Sequence, residues 1–213
     1  MNKYNPNIHH RRSIRLKGYD YSQEGLYFIT ICVQDRACLF GEMSTGKMIL
    51  NDARKMVERW YFELENKYPD KRCHEMVVMP NHFHCIIENI RSTPCGCPNI
   101  LDAHVATTDA HVGTPLRGRP NNDGRPNNND SPYGIHNKKH HATIGDAMDW
   151  FKTMTTNEYI RGVKTLGWQP FNGKLWQRNY WEHIIRDEQS HQRILEYIVN
   201  NPQKWNDDKF YSK

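Results

Sequence analysis

Two histidines separated by one residue, His82 and His84, are the strongest chemical feature of this 213-residue chain. They follow a Pro80–Asn81 turn, and the apolar runs on both sides of that turn predict a β-hairpin over 74–79 and 82–88. Side chains alternate between the two faces of a strand, so both imidazoles project from the same face. Two imidazoles about 7 Å apart on a rigid strand can bind one divalent metal ion. A third ligand and a nucleophile must then come from elsewhere in the chain.

A second pair of polar residues lies near the end of the last predicted helix. Tyr197 and Asn201 are four residues apart, so both lie on one side of the helix, next to its apolar stripe. Asp187 or Ser190 is the predicted N-cap, and Pro202 ends the helix. Two imidazoles and an amide oxygen suit Mg²⁺ or Mn²⁺, and a tyrosine hydroxyl can attack phosphorus to form a phosphotyrosine. The set indicates metal-assisted phosphoryl transfer.

The same residues admit other interpretations. A tyrosine at the edge of a buried face commonly only packs its ring, and Tyr159 and Tyr180 are alternative nucleophiles. A hydrolase that activates water would need a carboxylate near the histidines, for which Glu88 is the local candidate. A module that binds DNA or RNA without cleaving it is a third hypothesis.

The elements that must position these residues follow the order β-α-β-β-α-β-α. Asn51 and Thr143 are the predicted N-caps of the first two helices, and the segments 41–46 and 162–173 are predicted as a turn and a loop. The predicted elements are strands over 26–33, 74–79, 82–88 and 182–186 and helices over 52–66, 143–160 and from about 187 to 200, with a further short strand over 47–50 that is not counted in this order.

Charge and composition divide the chain into three parts. Residues 1–21 carry five Lys and Arg side chains against Asp20, so this arm holds +4 of the net charge of +5. A basic arm predicts a polyanion partner, with Arg11, Arg12 and Arg15 as the contacts. Residues 89–141 are polar and contain short repeats, which predicts a poorly ordered insertion. We therefore predict one catalytic domain formed by 22–88 and 142–213.

Further residues are candidates for nucleic-acid contacts. The aromatic and basic group around Tyr180 is typical of surfaces that stack on bases and bind phosphates, while Lys152 and Arg186 are candidate phosphate ligands. No apolar run approaches the roughly 20 residues of a membrane span, and no secretory signal is visible, so we predict a cytoplasmic, nucleoid-associated protein. The residues predicted to contact DNA are Arg11, Arg12, Arg15, Lys152, Trp176, Arg178, Tyr180 and Arg186.

The sequence resembles the single-tyrosine transposases that carry an HUH motif, and it is most similar to the REP-associated tyrosine transposases. The HUH motif matches Met79 to His84, and the other matches follow in the family's order outside the insertion. These matches are Arg11 to Leu16, Gly18 to Tyr21, Tyr27 to Thr30, Phe151-Lys152, Trp176 to Tyr180, His183 to Arg186, Glu196 to Ile198 and Asn200 to Pro202.

This resemblance implies an α+β, ferredoxin-like antiparallel sheet with helices. It implies that His82 and His84 bind the metal, that Tyr197 is the nucleophile, and that Asn201, where many relatives carry glutamine, is the third ligand. It implies cleavage and strand transfer of single-stranded or hairpin DNA through a 5′-phosphotyrosine, by a monomer or homodimer.

Overall fold

The computed structural model describes residues 15–16, 18–44, 47–90 and 138–211. The predicted elements are present there, together with one additional strand. The elements are β1 (Gly25–Cys32), β2 (Gly41–Ser44), β3 (Lys47–Leu50), α1 (Asp52–Lys67), β4 (Lys71–Met79), β5 (His82–Asn89), α2 (Ile144–Leu166), β6 (Trp181–Ile185) and α3 (Glu188–Asn200), followed by a 3-10 segment over Asn201–Asp207.

Four strands form one antiparallel sheet in the order β4-β5-β1-β6. The chain runs through this sheet and the first two helices as β-α-β-β-α-β, which is the ferredoxin-like connection. The predicted α+β fold class is therefore confirmed. Because β5 lies beside β1, His82 faces Cys32 and His84 faces Thr30 across the two strands.

The two faces of the sheet bury different sets of residues. Phe83, Cys85 and Ile87 pack into the main core with α1 and α2. On the opposite face, Ile86 packs into a second cluster to which α3 contributes Ile198. The alternation predicted for β5 is confirmed, and it places the two histidines on the α3 side of a strand whose other side is fully packed.

Side-chain caps fix where the helices begin. Asn51 accepts a hydrogen bond from the Arg54 amide at 3.1 Å, and Thr143 forms a reciprocal capping box with Asp146. Asp187, one of the two predicted caps of α3, accepts from the Ser190 amide at 2.7 Å. These caps matter for function because the start of α3 sets which of its residues face the sheet.

Two predictions about connecting segments were wrong. The segment 41–46, predicted as a turn, contains β2, which pairs with β3; residues 45 and 46 lie outside the described part. The loop predicted from Gly162 begins only after α2 ends at Leu166. Gly162 lies inside this helix, and its lack of a side chain is explained by the Trp168 ring, which a Cβ there would approach to 2.2 Å.

Several predictions concern residues outside the described part of the chain. These are Arg11, Arg12 and most of the 89–141 insertion, of which 91–137 is not described. The described flank shows that β5 continues through Asn89. None of the helices in the described ranges is long and apolar enough to cross a membrane.

Candidate active site

His82 begins β5 with a ring orientation that is fixed by its neighbour in the turn. Its Nδ1 lies 2.8 Å from Asn81 Oδ1. The other end of the Asn81 amide donates to the carbonyl of Phe210 at 2.8 Å, so Oδ1 is the acceptor end. Nδ1 of His82 therefore carries the proton, and Nε2 presents a lone pair. That Nε2 is buried and has no hydrogen-bond partner among the described residues.

His84 presents its Nε2 toward the same space. Its Nδ1 lies 2.8 Å from Thr30 Oγ1 on β1, and its ring stacks on Phe28 at 5.4 Å between centroids. The centroids of the His82 and His84 rings are 4.5 Å apart. Each imidazole thus has one nitrogen held by an outer partner, which leaves the other for a ligand, as is typical of metal-binding histidines.

The end of α3 places the predicted nucleophile and third ligand beside these rings. The Tyr197 hydroxyl lies 3.2 Å from His84 Nε2, and its ring packs edge-on against Phe28. Asn201 is buried, with an Oδ1 that has no hydrogen-bond partner in the described part of the structure. Residues from β5 and α3, far apart in sequence, therefore meet at one place.

Asp208 also belongs to this site, and sequence analysis missed it. Its Oδ2 accepts from Asn201 Nδ2 at 3.0 Å, contacts the Tyr197 hydroxyl at 3.4 Å, and lies 4.0 Å from His82 Nε2. A charged segment after Pro202 is normally read as solvated surface. The available signal was the presence of Trp205 and Phe210, whose buried rings hold this segment against the sheet.

Burial sets the protonation of these groups. It lowers the pKa of His82 to about 4, although Asp208 partly opposes this, and it lowers the pKa of His84 well below its ordinary value. Both imidazoles are therefore neutral near pH 7, the state that binds metal. Burial and, to a lesser degree, the Asp208 carboxylate raise the pKa of Tyr197 to about 12. Its hydroxyl needs a proton acceptor or a nearby cation to act as a nucleophile.

The donor set fits a divalent cation. One ligand atom from each of His82, His84 and Asp208 can be chosen so that all lie within 4.8 Å of one another. Two buried atoms, His82 Nε2 and Asn201 Oδ1, have no partner in the described part, although an unpaired buried polar atom is unfavourable. Imidazole nitrogens together with carboxylate and amide oxygens are ligands that divalent cations accept in proteins.

The structure places two of the predicted DNA-contacting residues in the core. Trp176 is buried, and its indole Nε1 donates to Thr155 Oγ1 at 2.8 Å. Tyr180 is buried as well, with the Arg15 guanidinium donating to its hydroxyl. Neither ring is accessible for stacking on a base. The aromatic character of Trp176 and Tyr180, which suggested a nucleic-acid surface, is explained by core packing.

The predicted basic residues lie in different settings. The Lys152 ammonium donates to the carbonyls of Gln177 and Arg178 at 3.0 and 3.2 Å, so it fixes the loop before β6. Burial lowers the pKa of Lys152 to about 8. Arg178 and Arg186 are exposed, and the Arg15 side chain is 47% exposed and lies 3.7 Å from Glu182. These three arginines keep surface available for phosphate contacts.

Tyr159 and Glu88, the other candidates for nucleophile and carboxylate, form hydrogen bonds away from the site. The Tyr159 hydroxyl donates to the Gln169 carbonyl at 2.8 Å inside the core. Glu88 lies 2.8 Å from the Nε2 of His74, at the opposite end of β5 from His82. Of the described carboxylates, Asp208 is the one grouped with the two histidines.

Comparison with known proteins places the chain among its relatives. No protein-family model matches it. An "Uncharacterized protein" of Haemophilus influenzae is 39% identical over 212 residues, which cover 98% of this chain and 97% of that protein. The chain belongs to the same family as this Haemophilus protein. The shared length includes every element of the candidate site.

Two further comparisons concern transposases. A second Haemophilus influenzae protein, named "Putative REP-associated tyrosine transposase", is 23% identical over 188 residues, covering 87% of this chain and 74% of that protein. The resemblance that the motifs indicated is thereby confirmed. The solved structures similar to this fold include a REP-associated tyrosine transposase bound to a REP hairpin. It shares 17% identity, covers 89% of this chain and 73% of that one, and has a TM-score of 0.49.

Proposed function

We propose that the protein is a metal-dependent enzyme that cleaves single-stranded DNA and transfers the strand through a covalent bond to Tyr197. The observation that carries this proposal is the position of the Tyr197 hydroxyl, 3.2 Å from His84 Nε2 and beside the other candidate ligands. A nucleophile next to a cation site is the arrangement that phosphoryl transfer requires. The catalytic unit would be formed by 22–88 and 142–213, acting as a monomer or homodimer.

The roles follow from the contacts. His82, His84, Asn201 and Asp208 would hold Mg²⁺ or Mn²⁺, which would polarise the phosphate when bound. The Tyr197 oxygen forms a bond to phosphorus while the bond from phosphorus to the 3′ oxygen breaks. The products are a 5′-phosphotyrosine and a 3′ hydroxyl. Asp208 Oδ2 is close enough to Tyr197 to accept its proton.

DNA would reach the site across basic surface. Arg15, Arg178 and Arg186 are described and partly or fully exposed, and Arg11 and Arg12 extend the same charge along the predicted arm. The resemblance to REP-associated enzymes makes hairpin-forming single-stranded DNA the substrate class to test first. Binding to chromosomal DNA would place the protein at the nucleoid, as we predict from its sequence.

A second candidate function, hydrolysis by metal-activated water, gains support from one observation. Such a hydrolase needs a carboxylate near the metal, and Asp208 lies 4.0 Å from His82 Nε2. The two functions differ in their dependence on Tyr197, because hydrolysis by water persists without its hydroxyl.

The direct test uses labelled single-stranded oligonucleotides that cover both flanks of the encoding gene. We expect a protein–DNA adduct that survives denaturing electrophoresis in Mg²⁺ or Mn²⁺ and is absent in EDTA. Cleavage that leaves no adduct would favour the hydrolase, and binding without cleavage would favour a DNA-binding module.

Replacement of Asp208 with asparagine tests the role of the residue that sequence analysis missed. We expect Asp208→Asn to weaken Mn²⁺ binding by about 10- to 100-fold, because the site loses its one negative charge while its shape is kept. Calorimetric titration of Mn²⁺ measures this directly. Asp207→Asn is the matched control, since Asp207 is exposed and adjacent. Equal Mn²⁺ affinity in the two variants would remove Asp208 from the proposed site.

A further inference from the structure

Trp181 is the first residue of β6 and is 59% exposed. A large aromatic side chain with this exposure is unusual in a strand whose other end is covered: Ile185, at the far end of β6, is 7% exposed and packs with α3. Among the described residues, the Trp181 indole makes no ring contact and no hydrogen bond. The ring therefore contributes little to the core, and any role that it has is at the surface.

The register of the sheet places Trp181 on the same face as the candidate active site. Trp181 pairs with Thr30, and Thr30 pairs with His84, so the three residues form one row across β6, β1 and β5. Directly opposed residues in antiparallel strands project from the same face. The Thr30 side chain confirms the direction of this row, because its hydroxyl reaches His84 Nδ1 at 2.8 Å. With neighbouring strands about 4.8 Å apart, Trp181 lies roughly 10 Å from His84 along the row.

The surroundings of Trp181 are open and basic. β6 is an edge strand of the sheet, so no further strand covers its outer side in the described structure. Lys174 and Arg178, in the segment that leads into β6, are both exposed, whereas the carboxylate of Glu182, the residue after Trp181, is only 2% exposed and lies 3.7 Å from Arg15 Nε. This segment adjoins the site, because the Gln177 amide donates to the carbonyl of Cys32 at the end of β1. A polyanion that carries flat, apolar rings matches this combination of charge and exposed indole.

We infer that Trp181 is a stacking platform for an unpaired base of single-stranded DNA, next to the phosphate presented to Tyr197. The inference rests on the proposed function and assigns to Trp181 the stacking role that the buried Trp176 and Tyr180 do not fill. Base stacking on an aromatic ring tolerates any sequence, because every base has a flat face. Trp181 would therefore orient the strand rather than select its sequence.

The test compares two fluorescein-labelled 20-mers, oligo(dT) and an abasic strand with the same number of phosphates, by fluorescence anisotropy. The experiment uses the full-length protein carrying Tyr197→Phe, so that binding is measured without cleavage. We expect Trp181→Ala to weaken binding of oligo(dT) by about 5- to 100-fold and to leave binding of the abasic strand unchanged. Trp181→Phe should retain most of the affinity because it keeps an aromatic face.

Phe62→Ala is the matched control, since Phe62 is an exposed ring on α1 and is 53% accessible. Thermal melting of each variant checks the fold. An equal loss of affinity for both strands, or no loss for either, would overturn the stacking role. A partner protein whose binding is weakened by Trp181→Ala while DNA binding stays unchanged would also overturn it. These outcomes are separate from those of the adduct test, because DNA binding is measured without chemistry.

Discussion

Replacement of Tyr197 with phenylalanine is expected to abolish the covalent protein–DNA adduct and to lower cleavage by about 10³-fold or more. The change removes one oxygen atom, the group that would bond to phosphorus. It keeps the ring, so the packing against Phe28 and His84 is preserved. DNA binding should remain nearly unchanged. Denaturing electrophoresis of labelled DNA measures the adduct, and anisotropy measures the binding.

Tyr159→Phe is the appropriate control for this experiment. Tyr159 was an alternative nucleophile on sequence grounds, but its hydroxyl is used inside the core. This variant should form the adduct at a normal level once its folding has been verified. An undiminished adduct in Tyr197→Phe would exclude Tyr197 as the nucleophile, whereas cleavage without an adduct in both wild type and variant would point to activated water.

Replacement of either site histidine with alanine should remove metal-dependent activity. His82→Ala and His84→Ala each delete one neutral, buried imidazole from the proposed coordination shell. We expect Mn²⁺ binding to fall below calorimetric detection and adduct formation to fall by at least about 100-fold. His82→Ala should have a second effect, because Asn81 Oδ1 loses the N–H that it accepts.

His74→Ala separates loss of the metal from loss of a histidine in general. His74 lies on the neighbouring strand β4, and its Nε2 is engaged with Glu88, away from the site. Its replacement should leave Mn²⁺ affinity unchanged. Wild-type Mn²⁺ affinity in His82→Ala would contradict the proposed metal site.

Local patterns were sufficient to predict most of the elements. The alternation on β5 and the caps Asn51 and Thr143 are properties of short segments, and the structure agrees with them. The predicted end of α2 was wrong because a glycine in the sequence normally argues against continuation of a helix through that position. Here the contact with Trp168, a tertiary interaction, accounts for the glycine.

The composition of the candidate site was predictable only in part. The spacing of His82 and His84 and that of Tyr197 and Asn201 are visible in the sequence. Asp208 was not found, because its position depends on how the segment after α3 folds back onto the sheet. The burial of Trp176 follows from the same kind of long-range packing, which makes an aromatic residue in the core indistinguishable by composition from one that binds DNA.

The amide of Asn81 links the formation of the site to the completion of folding. Its Nδ2 is held by the carbonyl of Phe210, and its Oδ1 holds His82 Nδ1. A partly folded chain with the β4–β5 hairpin in place, but without the segment 201–211 docked, would lack Asp208, Asn201 and the Phe210 carbonyl, which is one of the two carbonyls that Asn81 Nδ2 donates to, the other being that of Arg36. Under the proposed function, such a partly folded chain would carry the histidine motif without a complete cleavage site, so the activity would arise only once the segment 201–211 has docked.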